Sequence, residues 1–199
     1  MTDISAEKIE KKFGKTLLFR NINLNVKKGD SFYITGPNGS GKSTLLQILA
    51  GIQKQTSGEI IYRSENSVIN RENYRDFFGF TGPQVNPYDM LTSMENLRFT
   101  SSADEEIMAR YLERFDLYRH RAKPVKYYSS GMKQRLRLIQ AFITDRETIM
   151  LDEPSSNLDI KGRDILYGIL EEIKKNKILI IATNEQDDIN LCSDGINLE

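Results

Sequence analysis

The chain is poor in the residues that build metal centres and covalent cross-links. Its 199 residues include one cysteine, Cys192, and one histidine, His120. A lone cysteine excludes an internal disulfide and any zinc ribbon built on several thiolates; it is expected simply to pack. A lone histidine removes multi-histidine metal sites, and a Ser-His-Asp triad would have to rest on His120, which stands in a polar basic stretch. Charge excess is also missing: 28 Lys and Arg balance 28 Asp and Glu. No basic surplus announces a nucleic-acid partner, and none is expected. Long hydrophobic runs are absent. The longest strongly apolar run, Ile178 to Ala182, is far shorter than the roughly 20 residues that span a bilayer. Met1 to Lys12 is polar and charged and lacks the apolar stretch of a secretory leader. There is no internal repeat, no low-complexity tract and no long linker. Hydrophobic residues make up 39% of the chain, enough for a buried core. Together these features predict one soluble, cytoplasmic domain, with room for a small lobe.

What is present is concentrated. Gly36 to Thr44 reads Gly-Pro-Asn-Gly-Ser-Gly-Lys-Ser-Thr, which fits the phosphate-loop pattern G-x-x-x-x-G-K-[ST] at Gly36, Gly41, Lys42 and Ser43. The flanks suit the motif: Ser31 to Thr35 predicts a short buried strand, and Leu45 to Ala50 a helix that stops at Gly51. Strand, glycine loop and helix gather backbone N–H groups and a helix N-terminus around one point, an anion site. Lys42 is expected to reach the β- and γ-phosphates, and the Ser43 hydroxyl to sit on Mg²⁺.

Ile4 to Lys11 and Asn21 to Val26 alternate apolar and polar residues, as half-buried strands do. Gly58 to Tyr62 and Phe77 to Thr81 predict two more strands. From Ser93 to Leu117 the pattern is helical, with Met94, Leu97, Ile107, Tyr111, Leu112 and Phe115 apolar. Gly131 to Ile143 predicts another helix, whose Lys133 and Arg135 are expected on a solvated face. Strand Thr148 to Leu151, helix Ile160 to Lys175, strand Ile178 to Ala182 and helix Gln186 to Leu191 complete an alternation. The fold class is therefore α/β, with a mostly parallel sheet covered on both faces and an antiparallel β flank.

Ile149-Met-Leu-Asp152-Glu153-Pro154 runs a strand into two acids at its C-terminal end, where ligands bind in open α/β sheets. Asp152 is placed to hold Mg²⁺. Glu153 is placed to polarise a water for in-line attack on the γ-phosphate. Tyr128-Ser129-Ser130-Gly131-Met132 opens a helix with hydroxyl and N–H donors; alone this is an N-cap.

Taken together, these motifs resemble an ATP-binding cassette (ABC) ATPase subunit, of the P-loop NTPase (RecA-like) fold, over essentially the whole chain. The glycine loop matches Walker A, and the strand ending in Asp152-Glu153 matches Walker B with its catalytic glutamate. Tyr128 to Met132 resembles the signature motif, usually Leu-Ser-Gly-Gly-Gln. Gln84 matches the Q-loop glutamine, Ser156 to Asp159 the D-loop, and Phe13 the aromatic that stacks on adenine; Lys11, Lys12 and Gly14 around it predict an exposed ring. The resemblance implies one domain, with residues 1–84 and 146–199 as the nucleotide-binding core with its β flank and 85–145 as the helical lobe.

It also implies a mechanism. ATP would be held by Phe13, by Gly36, Pro37, Asn38, Gly39, Ser40, Gly41, Lys42, Ser43 and Thr44, and by Gln84. Ser43, Gln84 and Asp152 would hold Mg²⁺. Glu153, Lys42 and Asn184 would be catalytic. Two subunits would pair head to tail as a homodimer, so that Ser129, Ser130, Gly131, Met132 and Asp159 act on the partner's ATP. An integral membrane permease would dock beside the helical lobe, keeping the subunit peripheral on the inner face of the cell membrane. Two departures stand out. Asn184 occupies the place of the usual switch histidine and cannot become a cation, which predicts slow but real turnover. Met132 replaces the signature glutamine. Length, signature and Ala-Thr-Asn together resemble the small exporter ATPases of cytochrome c biogenesis, the haem-exporter group. The competing reading is a soluble ABC ATPase acting as an ATP-gated clamp or regulatory module.

Overall fold

Two sheets and the helix between them set the architecture of this computed structural model, which describes residues 2–65 and 67–199. In chain order the first elements are β1 (Asp3–Phe13), β2 (Thr16–Lys27), β3 (Ser31–Thr35) and α1 (Lys42–Leu49), followed by β4 (Ser57–Ser64), β5 (Ser67–Val68) and β6 (Phe78–Thr81). Then come α2 (Ser93–Thr100), α3 (Glu105–Arg114) and α4 (Ser130–Phe142). The chain closes with β7 (Thr148–Asp152), α5 (Ile160–Ile173), β8 (Ile178–Ala182), α6 (Gln186–Leu191) and β9 (Asp194–Asn197).

The first sheet is the expected antiparallel flank, in the order β2-β1-β4-β5. The second is five-stranded, in the order β6-β7-β8-β3-β9, and all its pairs are parallel. Its central strands β7 and β8 are buried at every residue, which is why they read as continuous apolar runs. Alternation then sorts their side chains. Met150, Ile178, Ile180 and Ala182 face one core with α1 and the flank sheet. Ile149, Leu151, Leu179 and Ile181 face a second core with α4, α5 and the helices of 93–117. On α1, Leu45, Leu46, Ile48 and Leu49 are at most 1% exposed. Each such side chain contributes about 1.5–3 kcal/mol, so the helix behind the phosphate loop is firmly seated.

Two expectations need correction, and one strand is new. The helical pattern of Ser93 to Leu117 is two helices, not one. Ser101 is extended (φ −144°, ψ 157°), and Asp104 starts α3 afresh by accepting from the Ile107 N–H at 2.8 Å. Such a cap is worth about 1 kcal/mol, enough to reset a helix although the apolar periodicity runs on. Arg135 is not on a solvated face. It is 9% exposed, and its guanidinium donates to the Phe115 carbonyl and to Asp159 Oδ1. Lys133 is partly covered and pairs with Asp89 at 2.7 Å. Finally, β9 adds an edge strand beside β3 that no sequence pattern announced.

Candidate functional site

Strand register brings the chemistry to one edge. Asp152 of β7 lies opposite Ala182 of β8, and Ala182 lies opposite Ile34 of β3. The residues just beyond these positions are the phosphate loop, Glu153 and Asn184. Residues more than a hundred positions apart thus meet at the C-terminal end of the sheet, the place such folds use for ligands.

The loop Gly36 to Gly41 is held by close approach. A Cβ at Gly36, where φ is +145°, would fall 2.3 Å from the Leu198 carbonyl oxygen. The Leu198 N–H donates to the Thr35 carbonyl at 2.8 Å, which tucks the chain's end under the loop. Gly41, at φ +102°, is the N-cap of α1 and packs against Leu18 and Phe19. Lys42, Ser43 and Thr44 form the first turn of that helix, which starts three residues earlier than the sequence pattern indicated. Their N–H groups have no helical acceptor, as at any helix start. Lys42 is buried and its ammonium donates to the Gly36 carbonyl at 2.8 Å and to that of Pro37 at 3.4 Å.

Asp152 and Glu153 differ in placement. Asp152 is 3% exposed, and its Oδ1 is buried without a partner. Burial pushes its pKa up, against the Ser43 hydroxyl and the Lys42 charge. A buried carboxylate oxygen without a donor, beside a hydroxyl, fits a cation. Glu153 turns the chain out of β7 in the left-handed region, at φ +49°, with its N–H donating to the Ala182 carbonyl at 2.8 Å. Its pKa is also raised, chiefly by burial, with Lys42 opposing and Asp152, Asp188 and Glu185 adding. A raised carboxylate is the better proton acceptor near neutral pH.

Gln84 reaches the same edge. Gly82 lies so near Asp152 that a Cβ there would fall 2.9 Å from the Asp152 Cβ, and Gln84 Oε1 accepts from Gln47 Nε2 of α1 at 3.0 Å. Asn184 is docked onto the loop. Its Oδ1 accepts from the Thr35 hydroxyl at 3.2 Å, and its Nδ2 donates to Asn38 Oδ1 at 3.4 Å. Phe13 is 53% exposed, with the Lys11 ammonium 4.8 Å from its ring centroid.

The signature residues lie elsewhere. Ser129 caps α4 by accepting from the Met132 N–H at 3.2 Å. Ser129, Ser130, Gly131 and Met132 line a hollow with Asn157, Asp159, Asp116, Arg119, Arg135 and Lys161, and no phosphate-loop residue is among them. Gly131 is pressed against the D-loop, since a Cβ would fall 2.8 Å from the Asn157 carbonyl oxygen. Asp159 caps α5 through the Gly162 N–H at 2.9 Å and pairs with Arg135. Sequence reasoning passed over Asn38 as the partner of Asn184 and over Gln134, whose amide donates to the Pro154 carbonyl at 3.0 Å behind Glu153. It also passed over Asp188, buried behind the same edge. None of these carries a local signature, because Asn38, Gln134 and Asp188 each meet partners at least 20 residues away.

Comparisons with known proteins identify the family and the fold. The family model described as ABC transporter matches residues 19–156. The lantibiotic transport ATP-binding protein SrtF of Streptococcus pyogenes is 31% identical over 184 residues, covering 91% of this chain and 79% of that one. The cytochrome c biogenesis ATP-binding export protein CcmA of Nitrosomonas europaea is 30% identical over 189 residues, covering 92% and 89%. Among solved structures, the ATP-binding cassette MJ0796, as a post-hydrolysis dimer bound to ADP and Pi, superposes with a TM-score of 0.85 at 25% identity, covering 98% of this chain and 94% of its own.

Proposed function

The chain belongs to the ABC transporter family as an ATP-binding subunit, and from that premise we propose that it hydrolyses ATP with Mg²⁺ to drive export through a membrane permease. The observation that carries this reading is the common end of β3, β7 and β8, which puts Lys42, Asp152, Glu153 and Asn184 on one edge. Backbone N–H groups from Gly39 to Thr44 and the Lys42 ammonium would wrap the phosphates, and the exposed ring of Phe13 would stack on adenine. Ser43, Asp152 and Gln84 would hold Mg²⁺, in keeping with the partnerless Asp152 Oδ1. The ion, when bound, would neutralise charge on the β- and γ-phosphate oxygens. Glu153 would take the proton of the attacking water as the bond between the γ-phosphorus and the bridging oxygen breaks and ADP leaves. Asn184 would donate its amide to the γ-phosphate.

Ser129, Ser130, Gly131, Met132 and Asp159 would complete the site of a second copy, paired head to tail. Their separate hollow supports that reading, as does Ile160 beside them, an apolar side chain 82% exposed at the start of α5. The permease would dock beside the helical segment 85–145, where Tyr88, Met90 and Phe99 are more than half exposed. The subunit itself would then sit on the inner face of the cell membrane, held there by the permease; no described helix is long and apolar enough to cross it. Export is favoured by the names of the relatives, and haem, for cytochrome c maturation, is the narrower cargo we propose.

Phosphate release by the purified protein tests the reading. Glu153→Gln should lower turnover by about 10²–10⁴-fold while ATP still binds. Wild-type turnover no higher than that of Glu153→Gln would overturn it. That result, with ATP binding intact, would favour an ATP-gated regulatory module, the reading to which the uncharged Asn184 points.

A further inference from the structure

Behind the edge that gathers the phosphate loop and Glu153 lies a carboxylate that the proposed reaction leaves unused. Asp188 of α6 is fully buried, and no lysine or arginine pairs with it among the described residues. Its oxygens instead accept from three hydroxyls. Oδ2 takes Ser155 Oγ at 2.9 Å and Thr183 Oγ1 at 2.8 Å, and Oδ1 takes the Tyr167 hydroxyl at 2.9 Å. A charge buried without a cation is costly to keep, and an apolar residue would serve mere packing better. The three donors explain what the carboxylate gains. Ser155 stands two residues after Glu153, at the head of the turn that leads to Asp159. Thr183 is the residue before Asn184, and its hydroxyl also accepts from the Glu185 N–H at 3.0 Å. Tyr167 anchors the group to α5.

We propose that Asp188 is a positioning residue for ATP hydrolysis, fixing the turn after Glu153 and the turn that presents Asn184 in one mutual register. Both turns need such a tie. Glu153 holds left-handed backbone, at φ +49°, a conformation that a residue of its kind keeps only when the surroundings enforce it. Asn184 is exposed and hangs on two neutral hydrogen bonds to the loop side. A single acceptor shared by Ser155 and Thr183 makes displacement of one turn a displacement of the other. This inference rests on the ATPase reading above.

The test compares Asp188→Asn, Tyr167→Phe and the double variant with wild type in steady-state phosphate release at varied ATP. Asparagine keeps the shape but has one acceptor oxygen and no charge. We expect Asp188→Asn to lower kcat by about tenfold or more with apparent KM within about twofold, the mark of an interaction felt in the transition state only. Tyr167→Phe should lower kcat by about threefold, and the double variant should be no worse than Asp188→Asn, because the groups act as one unit. Folded Asp188→Asn with kcat within about twofold of wild type would overturn the proposal. If Asp188→Asn does not fold, Tyr167→Phe decides alone: an unchanged kcat overturns it, and a lowered kcat at constant KM supports it. Hydrogen exchange of peptides 153–159 and 183–187 reads the same tie without turnover. Both should exchange faster together in Asp188→Asn, or in Tyr167→Phe if only that folds, whereas loosening of α6 alone would overturn the proposal. A wild-type protein without Glu153-dependent turnover would sink the ATPase reading, and exchange would still judge Asp188.

Discussion

The phosphate-loop edge and the signature hollow are built on opposite plans. The first is closed on itself. Lys42 is held by loop carbonyls, Gly36 lies against Leu198, and Asn184 is bonded to Asn38 and Thr35. Its shape is set by contacts within one chain that no second molecule needs to complete. The hollow is open. Its order comes from neighbours behind it, with Gly131 against the Asn157 carbonyl and Asp159 against Arg135 and the Gly162 N–H, while Ser129 and Ser130 stay exposed. A site that binds alone needs the first plan. A surface that acts only when pressed onto another molecule's phosphates needs the second, because exposed donors cost nothing to leave solvated.

Mixing two defective proteins gives the largest effect by which that division can be broken. Lys42→Ala removes the cation of the closed half. Gly131→Ala places a Cβ 2.8 Å from the Asn157 carbonyl oxygen in the open half, although alanine is about 1 kcal/mol the better helix former. Each variant alone should lose about 10²-fold or more in turnover. Gly131→Ala should retain ATP binding, and Lys42→Ala should not. In a head-to-tail dimer of the two, one site carries both defects and the other carries neither. Phosphate release should therefore reappear on mixing equal amounts. Mixed dimers that form and stay inactive would show that the halves are not exchanged between subunits.

Asn184→His is the next largest and sharpens the closed half. An imidazolium can make a charge-assisted hydrogen bond, roughly twice as strong as a neutral one, so kcat should rise several-fold, as phosphate release would show. A fall in kcat instead would show that the bond to Asn38 matters more than charge at the γ-phosphate, and that the edge is closed for a reason of its own.

How much of this was legible follows from the same division. The closed half announces itself because Gly36 to Thr44 and Asp152-Glu153 are contiguous runs whose residue types serve one chemistry. The parallel sheet was legible for a similar reason, since β7 and β8 are buried on both faces and so are apolar throughout. The break at Asp104 hid behind a continuous apolar period, and β9, Asp-Gly-Ile-Asn, has one apolar residue to show. Arg135 looked like solvated charge because its partners, Phe115 and Asp159, lie 20 and 24 residues away. Asp188 hid for a similar reason, since Ser155 and Tyr167 lie 33 and 21 residues away and only Thr183 is near.

Asp188 also offers the smallest expected effect, on the link between the two regions. Burial raises its pKa, with Glu185 adding, while the hydroxyls of Thr183, Ser155 and Tyr167 oppose the rise. Its folded value therefore exceeds the unfolded value, so the folded state binds the proton more tightly. Stability from this group is greatest at low pH and falls as pH rises from the unfolded aspartate value, about 3.9, through the raised folded value. Asp188→Asn has no such titration. The difference in melting temperature between wild type and Asp188→Asn should shift against wild type by a few degrees over that interval and stay level above it. A difference that is flat with pH would mean that the hydroxyls fully offset the burial. In that case the tie between the Glu153 turn and the Asn184 turn would carry no strain, and a loss of kcat in Asp188→Asn would have to come from the geometry of the three hydrogen bonds alone.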